Sequence, residues 1–246
     1  MTGPLLRASR VTKRFGGFCA LEQIELAVSP GERLGLIGPN GSGKTTLVNC
    51  VTGTLRNDEG MIHFDGHDIT RLPVHQRVRL GLARSFQIPK PFTSMTVLDN
   101  LRIPLLYATG ARAGAAQLSE AESRDAAMLI LREVGLEAKS AQPSGGLTQV
   151  DMRKLELARV MAARPRLLIS DEAMAGLSAT EVDEVLGILF RLNESGITIV
   201  MIEHIMQAVM RFSQRVICLD AGRIICEGTP EAIVRNPDVQ RAYLGA

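Results

Sequence analysis

Two stretches of the chain combine residue types suited to handling phosphate. Gly38, Pro39, Asn40, Gly41, Ser42, Gly43, Lys44, Thr45 and Thr46 satisfy the spacing GxxxxGK followed by Ser or Thr, directly after the strand-like run Arg33–Ile37. Glycines at 38, 41 and 43 permit backbone angles closed to other residues, so successive N–H groups can turn inward around an anion. The helix expected to follow aims its positive dipole end at the same place. Lys44 adds a full charge for the β and γ phosphates of a nucleotide, and the Thr45 hydroxyl is a ligand for Mg2+. The second stretch, Arg166 to Glu172, is an apolar run that ends in two acids, Asp171 and Glu172. Adjacent residues of an extended chain point to opposite sides. Asp171 can therefore hold magnesium, directly or through water, while Glu172 acts as general base on an attacking water. A P-loop alone does not separate ATPases, GTPases and kinases, but the Asn-Lys-x-Asp motif that reads guanine is absent from the sequence.

The elements that position these groups follow from hydrophobic periodicity. Strand-like runs occur at 21–28, 33–37, 60–64, 167–170, 197–202, 215–219 and 223–227, and helical patterns at 44–52, 96–107, 120–134, 149–163, 180–193 and 204–211. Ser119 with Glu122 and Ser178 with Glu181 match the capping box that starts a helix. Strands dominate both ends and helices the middle. The expected fold class is therefore α/β, in a single domain over residues 1–246. Its core, 1–87 and 164–246, is mixed α/β, and a helical subdomain is inserted over 88–163. The stretch from Ala108 to Ala116, rich in Ala and Gly, reads as a loop or helix break.

Composition sets limits. With 246 residues and 46% hydrophobic content the chain can build a sizeable core, and a formal charge of +2 without long runs of one sign argues against a nucleic-acid partner. No stretch approaches the roughly 18–20 apolar residues that span a bilayer, and the start lacks the apolar region of a signal peptide, so a cytoplasmic location is expected. Cys19, Cys50, Cys218 and Cys226 fall singly, as reduced core residues do. His63 and His67 straddle Asp65-Gly66, a hairpin turn signal, and read as surface residues.

Further residues join this pattern: Gln87 in Ser85-Phe86-Gln87, the helical insert, and Glu203-His204 after a late strand. With the P-loop and the acid pair, they resemble the ATPase subunits of ABC transporters along essentially the whole chain. That resemblance implies an ATPase core of a mixed sheet plus an antiparallel β-subdomain, with ATP and Mg2+ as ligands. It implies that Phe15 stacks on adenine, although a phenylalanine there serves equally as a core residue. Gln87 would sense the metal and the lytic water, and His204 would contact the γ phosphate. The segment Ala175, Gly176, Leu177 and Ser178 resembles the loop that crosses between paired ATPase domains, and Ser178 also suits a helix N-cap.

The family signature, usually Leu-Ser-Gly-Gly-Gln, precedes a basic helix that Arg153–Arg159 resembles. Counting back gives Leu147, Thr148, Gln149, Val150 and Asp151, with Ser144-Gly145-Gly146 out of register. Val150 stiffens the backbone where the family has glycine, and the Asp151 carboxylate is expected to repel phosphate. The resemblance implies head-to-tail pairing with a second ABC ATPase subunit, each ATP lying between one P-loop and the other signature. The altered signature favours a heterodimer, with a symmetric homodimer as alternative, since amides at the helix N-terminus near Thr148 can still reach phosphate. The segments Ala83–Gln87, Met95–Leu101, Glu227–Glu231 and Tyr243–Gly245 resemble ATPases of branched-chain amino-acid-type importers. That branch implies integral permease subunits as partners, attachment to the inner face of the membrane through them, and cargo among branched-chain amino acids or related small solutes. A soluble, non-transport ABC ATPase and a binding-only regulatory subunit are the competing functions.

Overall fold

A computed structural model of the chain describes residues 3–85, 91–107 and 118–244. In chain order, β1 (Leu6–Phe15), β2 (Phe18–Val28) and β3 (Arg33–Ile37) precede α1 (Lys44–Thr52), β4 (Glu59–Phe64), β5 (His67–Asp68) and α2 (Val74–Leu80). Next come β6 (Leu82–Arg84), α3 (Val97–Tyr107), α4 (Glu120–Glu133), α5 (Gln149–Ala163), β7 (Leu167–Asp171) and α6 (Ala179–Glu194). The chain continues through β8 (Thr198–Ile202), α7 (Met206–Phe212), β9 (Arg215–Asp220), β10 (Arg223–Gly228), α8 (Pro230–Arg235) and α9 (Pro237–Leu244). It forms two compact units, Met1–Arg77 with Thr198–Ala246, and Val78–Ile197.

In the first unit β3 is parallel to both β8 and β9, with Leu34 opposite Val200 and Arg215, and β10 returns antiparallel along β9. The run Leu34–Ile37 is wholly buried, as a central parallel strand requires. A separate antiparallel sheet has the order β2-β1-β4-β5. Strand β1 lies outside the strand-like runs read from sequence because its period breaks. Arg10 takes a left-handed φ of 51°, the register slips between Ala8 and Val11, and the inward set changes from Leu6 and Ala8 to Val11. Gly60 lies against this bulge, where a Cβ would sit 2.2 Å from the Arg10 carbonyl oxygen. The hairpin expected between His63 and His67 is present, with Asp65 and Gly66 both at positive φ and Phe64 opposite His67.

The second unit pairs β6 parallel to β7, Leu82 opposite Leu167, and holds α3 to α6, which pack on one another. Helix α6 buries Val182, Val185, Leu186, Leu189 and Leu192, one stripe at helical spacing. Both expected capping boxes form: Ser119 and Ser178 each donate their N–H to the glutamate three residues on, at 2.8 Å. The compact units divide at 77/78 and 197/198, whereas the sequence pattern draws its boundaries at 87/88 and 163/164. Contacts between α5 and α6, with the Lys154–Glu184 ion pair at 2.5 Å, gather α6 with the helices. Among the described residues no helix is long and apolar enough to cross a membrane. The segment Ala108–Ala116, expected as a loop or helix break, lies outside the described residues.

One buried cation clamps the first unit. Arg77 is 2% exposed, and its guanidinium donates to the carbonyls of Cys50 and Val51 at the end of α1, at 2.8 and 2.7 Å. It also donates to Leu72 and Thr70, at 2.9 and 3.2 Å. Four carbonyls thereby gain a donor from one planar fork, a geometry that lysine cannot copy. Arg77→Met is expected to destabilise the chain by about 3 kcal/mol and Arg77→Lys nearly as much, measured by urea unfolding. Unfolding midpoints equal to wild type would show that the clamp contributes nothing.

Candidate nucleotide site

The P-loop leaves the end of β3 and enters α1, and its glycines are needed for different reasons. Gly38, at φ 152°, has no room for a side chain, because a Cβ would lie 2.1 Å from the Leu219 carbonyl oxygen and 2.7 Å from Ser42 Oγ. Gly43, at φ 107°, would place a Cβ 2.7 Å from the Ala20 carbonyl oxygen. Gly41 has open space but a left-handed φ of 79°. The buried Lys44 ammonium donates to the carbonyls of Gly38 at 2.7 Å and Pro39 at 2.9 Å, and the Ser42 carbonyl accepts the Gly222 N–H at 2.9 Å. Helix α1 has no acid in its first turn and no side-chain cap, so its positive end suits an anion. Asn40 and Thr45 are exposed, Pro39 and Thr46 half-buried.

Phe15 is no core residue. It ends β1 with its side chain half exposed, opposite Phe18 across the Gly16-Gly17 turn, and the Lys13 ammonium lies 5.4 Å from its ring centre. Phe18, which sequence reasoning passed over, is 65% exposed, so this turn presents two aromatic faces. Glu203 follows β8 and is buried, and His204 next to it is exposed.

In the second unit β7 delivers Asp171 at its end, as expected, and the chain then bends sharply: Glu172 takes a φ of 50°, left-handed and costly for a residue with a side chain. Strand geometry alone, with two neighbours pointing to opposite sides, is therefore an incomplete account of this acid pair. Asp171 Oδ2 is bonded by Arg84 at 2.6 Å, with both side chains mostly buried, and the Asp171 N–H donates to Ser85 Oγ at 3.3 Å. The sequence reading included Arg84 only as part of the segment Ala83–Gln87 and gave it no part in the site. A base two residues from a parallel partner's acidic end is a signal only once β6 and β7 are known to pair. Gln87 lies outside the described residues.

The segment Leu147–Asp151 runs into α5, which starts at Gln149. Thr148 is the N-cap, its hydroxyl accepting the Asp151 N–H at 3.3 Å. Gln149 reaches back to the loop at 175–178, donating to the Ala175 carbonyl at 3.1 Å. Leu147 and Val150 are half-buried. The Asp151 carboxylate differs from its expected part. It is 5% exposed, paired with Lys139, and accepts the Thr148 hydroxyl at 2.8 Å. Burial alone would push this carboxyl up, but the bonds from Lys139 and Thr148 outweigh burial and hold it below the usual range. Its charge is neutralised inside the protein, so the repulsion of phosphate inferred from sequence is largely removed. Ser144-Gly145-Gly146 forms a single 3-10 turn, with the fully buried Ser144 donating to the Phe92 carbonyl at 3.0 Å. In the segment 175–178, Gly176 has φ 77° and Ser178 caps α6, with Ala175 and Leu177 half-buried.

Comparison with known proteins agrees with this geometry. Residues 21–175 match the family model described as ABC transporter, and residues 223–246 the one described as branched-chain amino acid ATP-binding cassette transporter. The chain is 38% identical over 253 residues to the high-affinity branched-chain amino acid transport ATP-binding protein BraF of Pseudomonas aeruginosa, covering 100% of this chain and 99% of that protein. Among solved structures it is similar to the ADP conformation of MJ1267, an ATP-binding cassette of an ABC transporter, with TM-score 0.85, 30% identity and 99% of each chain covered. It is also similar to the dimeric post-hydrolysis state of the ATP-binding cassette MJ0796 bound to ADP and Pi, with TM-score 0.80 and 25% identity over 92% of this chain and 98% of that one. A family model that spans most of the chain, and a relative this similar from end to end, make it a member of the ABC transporter family: an ATP-binding cassette ATPase with the α/β P-loop fold.

Proposed function

We propose that this chain is the ATP-hydrolysing subunit of an importer for branched-chain amino acids or related small polar or organic-acid solutes. It would attach to the cytoplasmic face of the membrane through integral permease subunits. The single observation that carries the chemistry is the P-loop itself, in which Lys44 and the N-terminus of α1 converge where glycine alone fits the backbone. The cargo class rests on the full-length likeness to BraF.

In this reading the loop amides from Gly41 to Thr46 and the Lys44 ammonium bind the triphosphate, and Phe15 stacks on adenine. Glu172 takes the proton of a water as its oxygen attacks the γ phosphorus, and ADP leaves with the bond electrons. His204 and Gln87 hold the water and the γ phosphate. Magnesium prefers hard oxygen donors, and the exposed Thr45 hydroxyl, the Asp171 carboxylate and the Gln87 amide are of that class. When bound it neutralises charge on the β and γ phosphates. The core, 1–87 and 164–246, would carry the nucleotide, and the helical subdomain, 88–163, would relay its state to the permease.

Each site needs a second ABC ATPase subunit that offers its signature, Leu147 to Asp151 in this chain, with the loop 175–178 crossing between partners. A different partner chain is favoured because Val150 stands where glycine would allow close approach to phosphate. The internal pairing of Asp151 with Lys139 supports the second reading, a symmetric pair, since amides at the start of α5 then meet phosphate without a facing charge.

Glu172→Gln is expected to keep ATP affinity within about twofold and to lower turnover at least about 100-fold in the assembled complex. Undiminished steady-state hydrolysis would exclude Glu172 as the base. Val150→Gly separates the pairing schemes. Turnover raised several-fold supports a weakened signature in an asymmetric pair, and unchanged turnover supports the symmetric one. Transport itself is tested by purification from membranes, where integral subunits should accompany the chain; a purely soluble assembly would favour a non-transport ATPase.

A further inference from the structure

Tyr243 lies in the last turn of α9 and takes no part in the chemistry above, yet its hydroxyl oxygen accepts the backbone N–H of Gly38 at 2.8 Å, across 205 residues of sequence. Gly38 is thereby held from three sides. Tyr243 binds its N–H, Lys44 binds its carbonyl at 2.7 Å, and the Leu219 carbonyl oxygen occupies the space a Cβ would need. Helix α9 is itself anchored. Val239 is 5% exposed, Asn236 Oδ1 accepts the Asp238 N–H at 2.8 Å, and Asn236 Nδ2 reaches Cys226 Sγ on β10 at 3.1 Å. The Tyr243 side chain keeps an exposed face while its oxygen is turned inward. Burial pushes the phenol up to about 12, against the opposing effect of the Gly38 bond, so the hydroxyl is neutral throughout the ordinary pH range.

As a glycine, Gly38 has a wide choice of φ and ψ unless its peptide is held by its neighbours. Its carbonyl is one of the two that seat the Lys44 ammonium. We infer that Tyr243 is a positioning residue of the P-loop: its hydroxyl fixes the Gly38 peptide and with it the seat of Lys44, so the C-terminal helix sets nucleotide affinity. The inference rests on the nucleotide reading of the P-loop. Without the hydroxyl, water can satisfy the Gly38 N–H, so the loss is of order in the loop and the effect is moderate.

The test compares the full-length chain with Tyr243→Phe, which retains the ring and loses only the oxygen. MgADP binding is measured by calorimetry, alongside thermal unfolding and steady-state MgATP hydrolysis. MgADP is chosen because its β phosphate engages the P-loop without needing a partner's signature. The expected result is a dissociation constant raised about fivefold, with the loss in turnover falling on KM rather than kcat. An unaltered dissociation constant overturns the inference, whether or not the melting temperature falls, because a merely structural tyrosine would affect stability alone. A wild-type chain that fails to bind MgADP rejects the nucleotide reading itself and the inference with it. Binding by wild type with no effect of Tyr243→Phe rejects the inference only.

Discussion

Close passage of backbone against backbone around the P-loop is the constraint on which the nucleotide chemistry depends. The Leu219 carbonyl fills the space beside Gly38, and the Ala20 carbonyl the space beside Gly43. A single methyl group at either place would push the loop off the end of β9 or off β2, since interiors packed this tightly do not yield to an added carbon. With the loop held there, Lys44 is seated by the carbonyls of Gly38 and Pro39, and α1 presents an uncapped N-terminus free of acids. The same packing explains why β3 is apolar from Leu34 to Ile37. Only a buried central strand, flanked in parallel by β8 and β9, can carry a loop so exactingly placed.

Charge is placed with equal economy in the second unit. Asp171 and Asp151 are both mostly buried, and each carboxylate meets a basic side chain, Arg84 and Lys139; that of Asp151 also accepts the Thr148 hydroxyl. Without its partners, the buried Asp151 carboxylate would be pushed toward its neutral form. Pairing sets the Arg84 guanidinium against Asp171 at a strand end and turns Asp151 from a repulsive group into part of the α5 cap. Glu172 is treated differently. Its left-handed backbone is the kind of strain that a fold retains where a side chain must be aimed.

What could be read from the chain in advance was whatever depends on near neighbours. β3, α1 and α5 have the bounds their periodicity indicated, and both serine caps sit where the Ser-x-x-Glu spacing put them. β1 escaped because a bulge at Arg10 switches its inward face midway, so no single period runs through it. The helices at the C-terminus escaped because they are short and hold few apolar positions. Phe15 could not be settled by pattern at all, since exposure is decided by what the folded chain leaves uncovered.

By itself the sequence determined the chemistry available: a glycine-spaced loop with Lys44, an acid pair after an apolar run, and the family these imply. Such motifs are legible because their function lies in backbone conformation and in residues a few positions apart. Only the tertiary structure decided which charges are satisfied and what braces the loop. Arg77 on the carbonyls ending α1, Arg84 on Asp171, Lys139 on Asp151 and Tyr243 on Gly38 all join residues that are distant, or on different elements, along the chain. Their partners are chosen by strand order and helix packing, and a hydrogen bond of about 3 Å leaves no trace in a one-dimensional pattern.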